Sequence, residues 1–196
     1  EKNFDQARSV FERAVVISRA GYGEDSPRTA ELHSNLGLVL SAQKRYPEAT
    51  AAYQRALITL RALGDDHPKV LLTEIDLGAL YLRQKQYAQA LEKFRRVLFL
   101  QTARMGAAFA QNANAWLGIG LSQHNLGQWA EARIAFEHAI DIAGDGKHEV
   151  LVGSAKISMA RALWALGQKD QARGAGKQAL AIFAKAGPSA AAQQED

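Results

Sequence analysis

The fold of this chain is decided by LGLVLSAQKRYPEATAAYQRAL at residues 36–57 and LGALYLRQKQYAQALEKFRRVL at residues 77–98. The two stretches align without a gap at a spacing of 41 residues. Each has a Leu-Gly pair, and then an aromatic residue, an alanine, a second aromatic residue and a second small residue. Because residues three, four or seven apart share one face of a helix, each stretch predicts two helices. The first, helix A, carries the Leu-Gly pair, and the second, helix B, carries the small and aromatic residues.

The helix B pattern occurs at five places, with spacings of 42, 41, 42 and 40 residues. Its first small position is held by Ala7, Ala49, Ala90, Ala132 and Ala172. Its second small position is held by Ala14, Ala56, Val97, Ala139 and Ala179, and the aromatics between the two are Phe11, Tyr53, Phe94 and Phe136. The pairs upstream are Leu36-Gly37, Leu77-Gly78, Leu117-Gly118 and Met159-Ala160. A glycine inside a helix costs about 1 kcal/mol relative to alanine, so its recurrence indicates a closely packed neighbouring helix.

The prolines mark where the helices begin. Proline fits the first turn of a helix and breaks its interior, and Pro27, Pro47 and Pro68 all fall at predicted helix starts. Pro188 follows the last helix. The predicted helices are one B helix at 3–20, followed by A and B pairs at 28–43 and 47–63, 68–84 and 88–104, 110–126 and 130–143, and 148–166 and 170–186.

This repeat resembles the tetratricopeptide repeat, whose signature is a Leu-Gly pair followed by alternating aromatic and alanine positions. The joints at 22–27 and 63–68 look like the Gly-x-x-His-Pro joints of the 42-residue kinesin-light-chain type. The resemblance implies an all-α fold, a right-handed α-α superhelix of four full helix pairs plus one N-terminal orphan helix. It implies a single array over 1–187, with units of about 1–27 (partial), 28–67, 68–109, 110–147 and 148–187, and a disordered tail at 188–196.

Two ends of the array depart from the pattern. The first unit has only its B helix and the chain starts at Glu1, so we expect a fragment of a longer protein. The last B helix has Lys169 in place of an aromatic and contains Gly174 and Gly176, which is typical of a terminal repeat.

The resemblance also implies a concave groove, lined by the A helices, that holds an extended or helical peptide. Residues of the A helices outside the packing positions are therefore the candidate partner-binding residues. They are Asn35, Asp76, Arg83, Asn112, Trp116, Gln123, Lys156, Arg161 and Trp164.

Trp116 and Trp164 are the most distinctive of these residues. With Arg83, Lys156 and Arg161 nearby, they predict a ligand with an apolar anchor and an acidic group. The alternative is that both tryptophans pack between repeats and that the basic residues form ordinary solvated surface.

Other chemistry is not indicated by the sequence. Without cysteine there is no disulfide or thiolate metal site, and no phosphate loop, nucleophile motif or zinc motif occurs. The run Asp65-Asp66-His67 is interpreted as a helix joint rather than a metal site. We therefore expect no enzyme activity, no cofactor and no metal.

Three functions remain open. The first is a cytoplasmic scaffold that binds a protein or peptide ligand, and the second is the recruiting region of a larger signalling enzyme such as a bacterial serine/threonine kinase. The third, a nucleic-acid-binding repeat, is disfavoured because the basic residues behind the net charge of +4 are scattered along the chain. A membrane partner is disfavoured because no apolar run approaches the length of a membrane span. An additional expectation is a homodimer formed through the exposed N-terminal helix.

Overall fold

The computed structural model describes residues 2–144 and 148–186, which contain nine α-helices and no strand. The helices are α1 (Lys2–Tyr22), α2 (Pro27–Ala42), α3 (Tyr46–Leu60), α4 (Pro68–Arg83), α5 (Tyr87–Met105), α6 (Asn112–Asn125), α7 (Trp129–Ala143), α8 (Glu149–Ala165) and α9 (Lys169–Ala186). The predicted all-α fold and helix order are confirmed, with α1, α3, α5, α7 and α9 as the B helices. Helix α3 ends three residues early because Arg61–Leu63 form a 3₁₀ turn. The tail predicted to be disordered, 188–196, lies outside the described residues.

The starts of α2 and α4 are capped as the prolines predict. The Ser26 hydroxyl accepts a hydrogen bond from the Arg28 backbone N–H at 3.3 Å. His67 takes the same role, since its Nδ1 accepts from the Lys69 backbone N–H at 3.3 Å. Each cap satisfies one of the amide groups that the first turn of a helix leaves free. The joint at Asp65-Asp66-His67 is thus a helix cap.

The turns that follow the A helices have the same geometry four times. A residue with left-handed φ stands at Lys44, Lys85, Gly127 and Gly167. The residue after it donates its N–H to a carbonyl in the last turn of the A helix, at Leu40, Tyr81, Gln123 and Leu163, over 2.8–2.9 Å. This 6→1 bond ends the helix and sends the chain back along it. Because these carbonyls are equivalent, they align the repeats independently of the repeated small and aromatic positions in the sequence.

That register corrects the predicted pair Leu117-Gly118. The glycine equivalent to Gly37 is Gly120, and the packing pair of α6 is Ile119-Gly120. A Cβ on Gly37 would lie 2.9 Å from the ring of Tyr53, and a Cβ on Gly120 would lie 2.5 Å from the ring of Phe136. In both cases the aromatic follows its glycine by 16 residues. Gly118 instead lies against Phe94 of the preceding B helix, at 2.5 Å.

The described residues divide into two compact units, and the division falls between Gln86 and Tyr87. In the first unit, α2 packs between α1 and α3, and α3 packs on α4. Its core surrounds Tyr53, which is fully buried among Leu40, Leu60 and Leu77. One apolar core of small, aliphatic and aromatic side chains therefore holds the helices of the first unit together.

The second unit contains α5 to α9, packed in sequence order. Phe136 is fully buried against Ala132 and Ala162. The last pair is unusual, because Gly176 stands where an aromatic is expected and nothing lies within 4 Å of the position that its Cβ would take. The nearest aromatic of α9, Phe183, packs at a different level of the pair, where its ring would lie 2.6 Å from a Cβ on Gly153.

Helix α1 keeps several apolar side chains in solvent. Val10, Val16 and Ile17 are 65%, 55% and 63% exposed. Self-association through α1 stays a prediction. Among the described residues, none of the helices has the length and apolarity that spanning a membrane requires.

We expect Gly120→Ala to destabilise the second unit by about 2 kcal/mol, because a methyl group there overlaps the ring of the fully buried Phe136. Gly174→Ala is the matched control, since nothing lies within 4 Å of its Cβ position and alanine favours the helix. Urea unfolding measures both. Equal stability of Gly120→Ala and the wild-type protein would contradict the assigned register.

Candidate partner-binding site

The corrected register decides which predicted residues share a face of the A helices. Asn35 and Asp76 both stand two positions before their packing glycine, in α2 and α4. Asn35 is exposed and Asp76 is half-buried. Gly118 and Ser158 hold the equivalent positions in α6 and α8, so Trp116 does not share this position with Asn35 and Asp76.

Asp76 is electrostatically unusual. Burial raises the pKa of its carboxyl group to about 6. Among the described residues the carboxylate has no hydrogen-bond or ion-pair partner. Burial raises the pKa of Tyr53 as well, and the negative charge of Asp76 adds to that effect while Arg83 opposes it. Asp76 and Arg83 therefore both lie near the aromatic core of the first unit, and Arg83 is exposed at the end of α4.

Asn112 was predicted to contact a partner, and the structure contradicts this. Its side chain is fully buried at the start of α6. Its Nδ2 donates to the carbonyl oxygens of Gly106 at 3.1 Å and Ala107 at 3.0 Å. Asn112 thus holds the turn between α5 and α6 and is not available to a ligand.

Trp116 and Gln123 line a different surface from Trp164. They form the floor of a groove of about 580 Å³ between the B helices α5 and α7, with α6 beneath. We call this surface the B-helix groove; it is lined by Arg95, Leu98, Phe99, Thr102, Ala103, Trp116, Ile119, Gln123, Glu131, Ile134 and Ala135. The ring of Trp116 stacks on His138, with centroids 4.5 Å apart. The prediction that both tryptophans belong to one A-helix surface is therefore wrong.

Lys156 occupies the same register position in α8 that Trp116 occupies in α6, four residues before the small packing residue. Its Nζ donates to Oε1 of Gln178 in α9 at 2.7 Å. This bond ties the last A helix to the last B helix. Lys156 is thus separated from Arg161 and Trp164, with which it was predicted to act.

Arg161 and Trp164 do lie together, in a second cleft of about 430 Å³ formed by α6, α8 and α9. We call it the A-face cleft; it is lined by His124, Ile157, Ala160, Arg161, Trp164, Ala172 and Arg173. Trp164 is 53% exposed. The Nζ of Lys169 lies 5.6 Å from the centroid of its ring, so a cation already covers part of the indole.

The cleft is positively charged. Arg161 makes no hydrogen bond or ion pair with the described residues. Within the described part of the chain, Arg173 pairs with the exposed Asp170, at 2.9 Å. Exposed guanidinium groups beside an aromatic ring bind carboxylates well, because the planar fork matches both carboxylate oxygens.

His124 is a cleft residue that the sequence did not reveal. Burial lowers its pKa, and the nearby Arg161 lowers it further. Its buried Nδ1 has no hydrogen-bond partner among the described residues. With the register counted from Gly120, His124 and Trp164 are equivalent, each four residues after the small packing residue. The sequence prediction missed this equivalence because the pair Leu117-Gly118 places the register of α6 two residues too early.

The sequence model of the tetratricopeptide-repeat family matches residues 1–59, 43–102 and 111–185. The chain belongs to the tetratricopeptide-repeat family. Proteins built on this repeat bind protein partners, and the fold is a solenoid of stacked helix pairs.

Solved structures with the same fold agree with this assignment. BtubC (BKLC) from P. vanneervenii has a TM-score of 0.80 at 18% identity, over 93% of this chain and 74% of that one. A kinesin-light-chain-like protein of nearly identical TPR-like repeats from P. anserina has a TM-score of 0.74 at 21% identity, over 94% and 89%. MamA of MSR-1 has a TM-score of 0.61 at 19% identity, over 95% of both chains. The predicted tetratricopeptide repeat is confirmed, and a kinesin-light-chain-like protein shares its fold. No match was found among curated proteins.

We expect Asp76→Asn to stabilise the protein by about 1–2 kcal/mol at pH 7. Because burial raises the pKa of Asp76 to about 6, the folded state holds a proton that the unfolded state releases between about pH 4 and pH 6. The free energy of unfolding therefore falls as pH rises through this window, and Asp76→Asn removes that fall.

Urea unfolding at pH 4 and pH 7 measures the difference between the two proteins, with the exposed Asp25→Asn as the control. The gain from Asp76→Asn should be present at pH 7 and close to zero at pH 4. A gain of the same size at both values would mean that the carboxylate charge is not its cause.

Proposed function

We propose that this tetratricopeptide-repeat protein is an interaction scaffold whose A-face cleft binds a partner segment carrying an apolar side chain next to a carboxylate. The proposal rests on two residues that line the same cleft. About half of the Trp164 side chain is in solvent, and Arg161 has no anionic partner among the described residues. An apolar side chain on the indole face would exclude water from the ion pair beside it. Such a pair is worth more than one in full solvent.

His124 supports the same ligand. Its lowered pKa keeps the imidazole neutral at pH 7, so one ring nitrogen donates a hydrogen bond while the other accepts one. A neutral donor near Arg161 adds a hydrogen bond to a carboxylate without increasing the repulsion between cations. The function we assign is therefore recognition and not catalysis.

The first unit supplies a second predicted contact, at Asn35 and Asp76. A half-buried carboxylate without a partner is costly for stability, which is typical of a group retained for binding. Asp76 would accept hydrogen bonds from a backbone N–H or a basic side chain, and the exposed Asn35 would bind a peptide backbone. Arg83 would pair with an acidic group of a ligand bound at the first unit.

Fluorescence anisotropy with two labelled peptides tests the cleft. Both peptides have the same central apolar residue, either leucine or tryptophan. The acidic peptide has aspartate and glutamate around it, and the amide peptide has asparagine and glutamine in their place. We expect the acidic peptide to bind at least about tenfold more tightly than the amide peptide, because charge-assisted hydrogen bonds are the stronger ones.

Arg161→Glu should abolish this preference, and Trp164→Ala should weaken both peptides. The control is Arg13→Glu, which makes the same charge change on an exposed residue of α1. If Arg161→Glu and Arg13→Glu weaken the acidic peptide equally, binding reflects net charge and the proposed site is wrong.

A further inference from the structure

The B-helix groove differs sharply from the equivalent surface two repeats earlier in the chain. There, α1 and α3 flank α2 in the same way that α5 and α7 flank α6. Residues 83 positions apart are equivalent in the two places, so Arg19, His33 and Arg55 correspond to Thr102, Trp116 and His138. The two surfaces can therefore be compared residue by residue.

In the first unit, one carboxylate closes this surface. The Glu24 carboxylate accepts from Arg55 Nε at 2.6 Å and lies 3.8 Å from Arg19 Nε and 3.7 Å from His33 Nε2. It thereby connects α1, α2 and α3. This network of charged side chains covers the surface between the three helices, so the described residues form no open apolar groove there.

In the second unit, the equivalent surface is open and apolar. The network residues are replaced by Thr102 and by the stacked pair Trp116 and His138, which cannot form it. The walls gain larger apolar side chains, since Phe99 and Ile134 stand where the first unit has Val16 and Ala51. Phe99 is 72% exposed and Ile134 is 46% exposed. Large exposed apolar side chains facing a common groove mark an interaction surface.

The rims of the two surfaces differ in charge pairing. In the first unit, Glu12 lies 3.7 Å from Arg8, and Glu48 pairs with Arg45 at 2.5 Å. Their equivalents in the second unit are Arg95 on α5 and Glu131 on α7. Neither has an ion pair or a hydrogen bond among the described residues. The groove thus presents one unpaired cation on one wall and one unpaired anion on the other.

We infer that the B-helix groove binds an amphipathic α-helix of a partner protein, with an apolar stripe that has acidic residues along one edge and basic residues along the other. The apolar stripe would cover Phe99 and Ile134, in the same way that an amphipathic helix lies in a hydrophobic groove. The acidic edge would pair with Arg95 and the basic edge with Glu131. This surface is separate from the A-face cleft, so the inference does not depend on the proposed function.

The test uses three labelled helical peptides with the same leucine stripe, whose two edges are glutamate and lysine, lysine and lysine, or glutamate and glutamate. Fluorescence anisotropy with the full chain should show the mixed peptide binding about fivefold or more tighter than the other two. Arg95→Glu gives the groove two acidic walls, so the lysine peptide should then bind most tightly. An order of affinities unchanged by Arg95→Glu would overturn the inference.

The apolar contribution is tested with residues that the first unit already uses. Phe99→Val with Ile134→Ala should weaken the mixed peptide by at least about tenfold, as expected for anchors of an interface. Ile58→Ala, at an exposed apolar residue of α3, and Trp164→Ala in the A-face cleft should leave its affinity unchanged. Circular dichroism confirms that the variants fold. Loss of binding in Trp164→Ala instead would place the peptide in the A-face cleft and contradict the inference.

The other occupant to test for the groove is a second copy of the chain. Sedimentation velocity of the chain alone shows whether such a dimer forms. We expect Phe99→Val with Ile134→Ala to leave the sedimentation coefficient unchanged. A wild-type dimer that this variant converts to a monomer would show that the groove binds another copy, and the inference of a partner helix would be wrong.

Discussion

The contact between a helical glycine and the aromatic ring of the following B helix determines how the rest of the structure is arranged. Gly37 against Tyr53 and Gly120 against Phe136 bring two helices so close that even a methyl group would overlap the ring. The cost of glycine in a helix, about 1 kcal/mol, is offset by the burial of a complete aromatic side chain. Because the contact fixes the rotation of each A helix, it also determines which side chains of that helix face solvent.

Because the rotation of each A helix is fixed, the repeats differ in the side-chain contacts made at a few equivalent positions. Four residues before the packing residue stand His33, Glu74, Trp116 and Lys156, which respectively join an ion-pair network, pair with Arg61, stack on His138 and bond to Gln178. The same scaffold position thus closes the helix surface in most repeats and opens it at Trp116. The A-face cleft arises in the same way, where His124 and Trp164 occupy equivalent positions of adjacent A helices.

The helices were predictable because proline, glycine and the alanine columns act locally, and the starts of α2 and α4 depend on Pro27 and Pro68. The register of α6 could not be predicted, because this helix contains two glycines, Gly118 and Gly120, and both lie against aromatic rings. Sequence spacing could not tell that Phe94 covers one and Phe136 the other. Asn112 was misassigned for a related reason, since its burial depends on the turn at Gly106 and Ala107.

Trp116 and Trp164 line two different surfaces, the B-helix groove and the A-face cleft, and fluorine NMR of protein labelled with 5-fluorotryptophan tests directly whether each surface binds its own ligand. The chain has three tryptophans, so three resonances can be assigned by substituting each with phenylalanine. We expect the acidic peptide to shift the resonance of Trp164 alone and the mixed-edge helical peptide to shift that of Trp116 alone. If both peptides shifted the same resonance, the two tryptophans would not belong to separate binding surfaces.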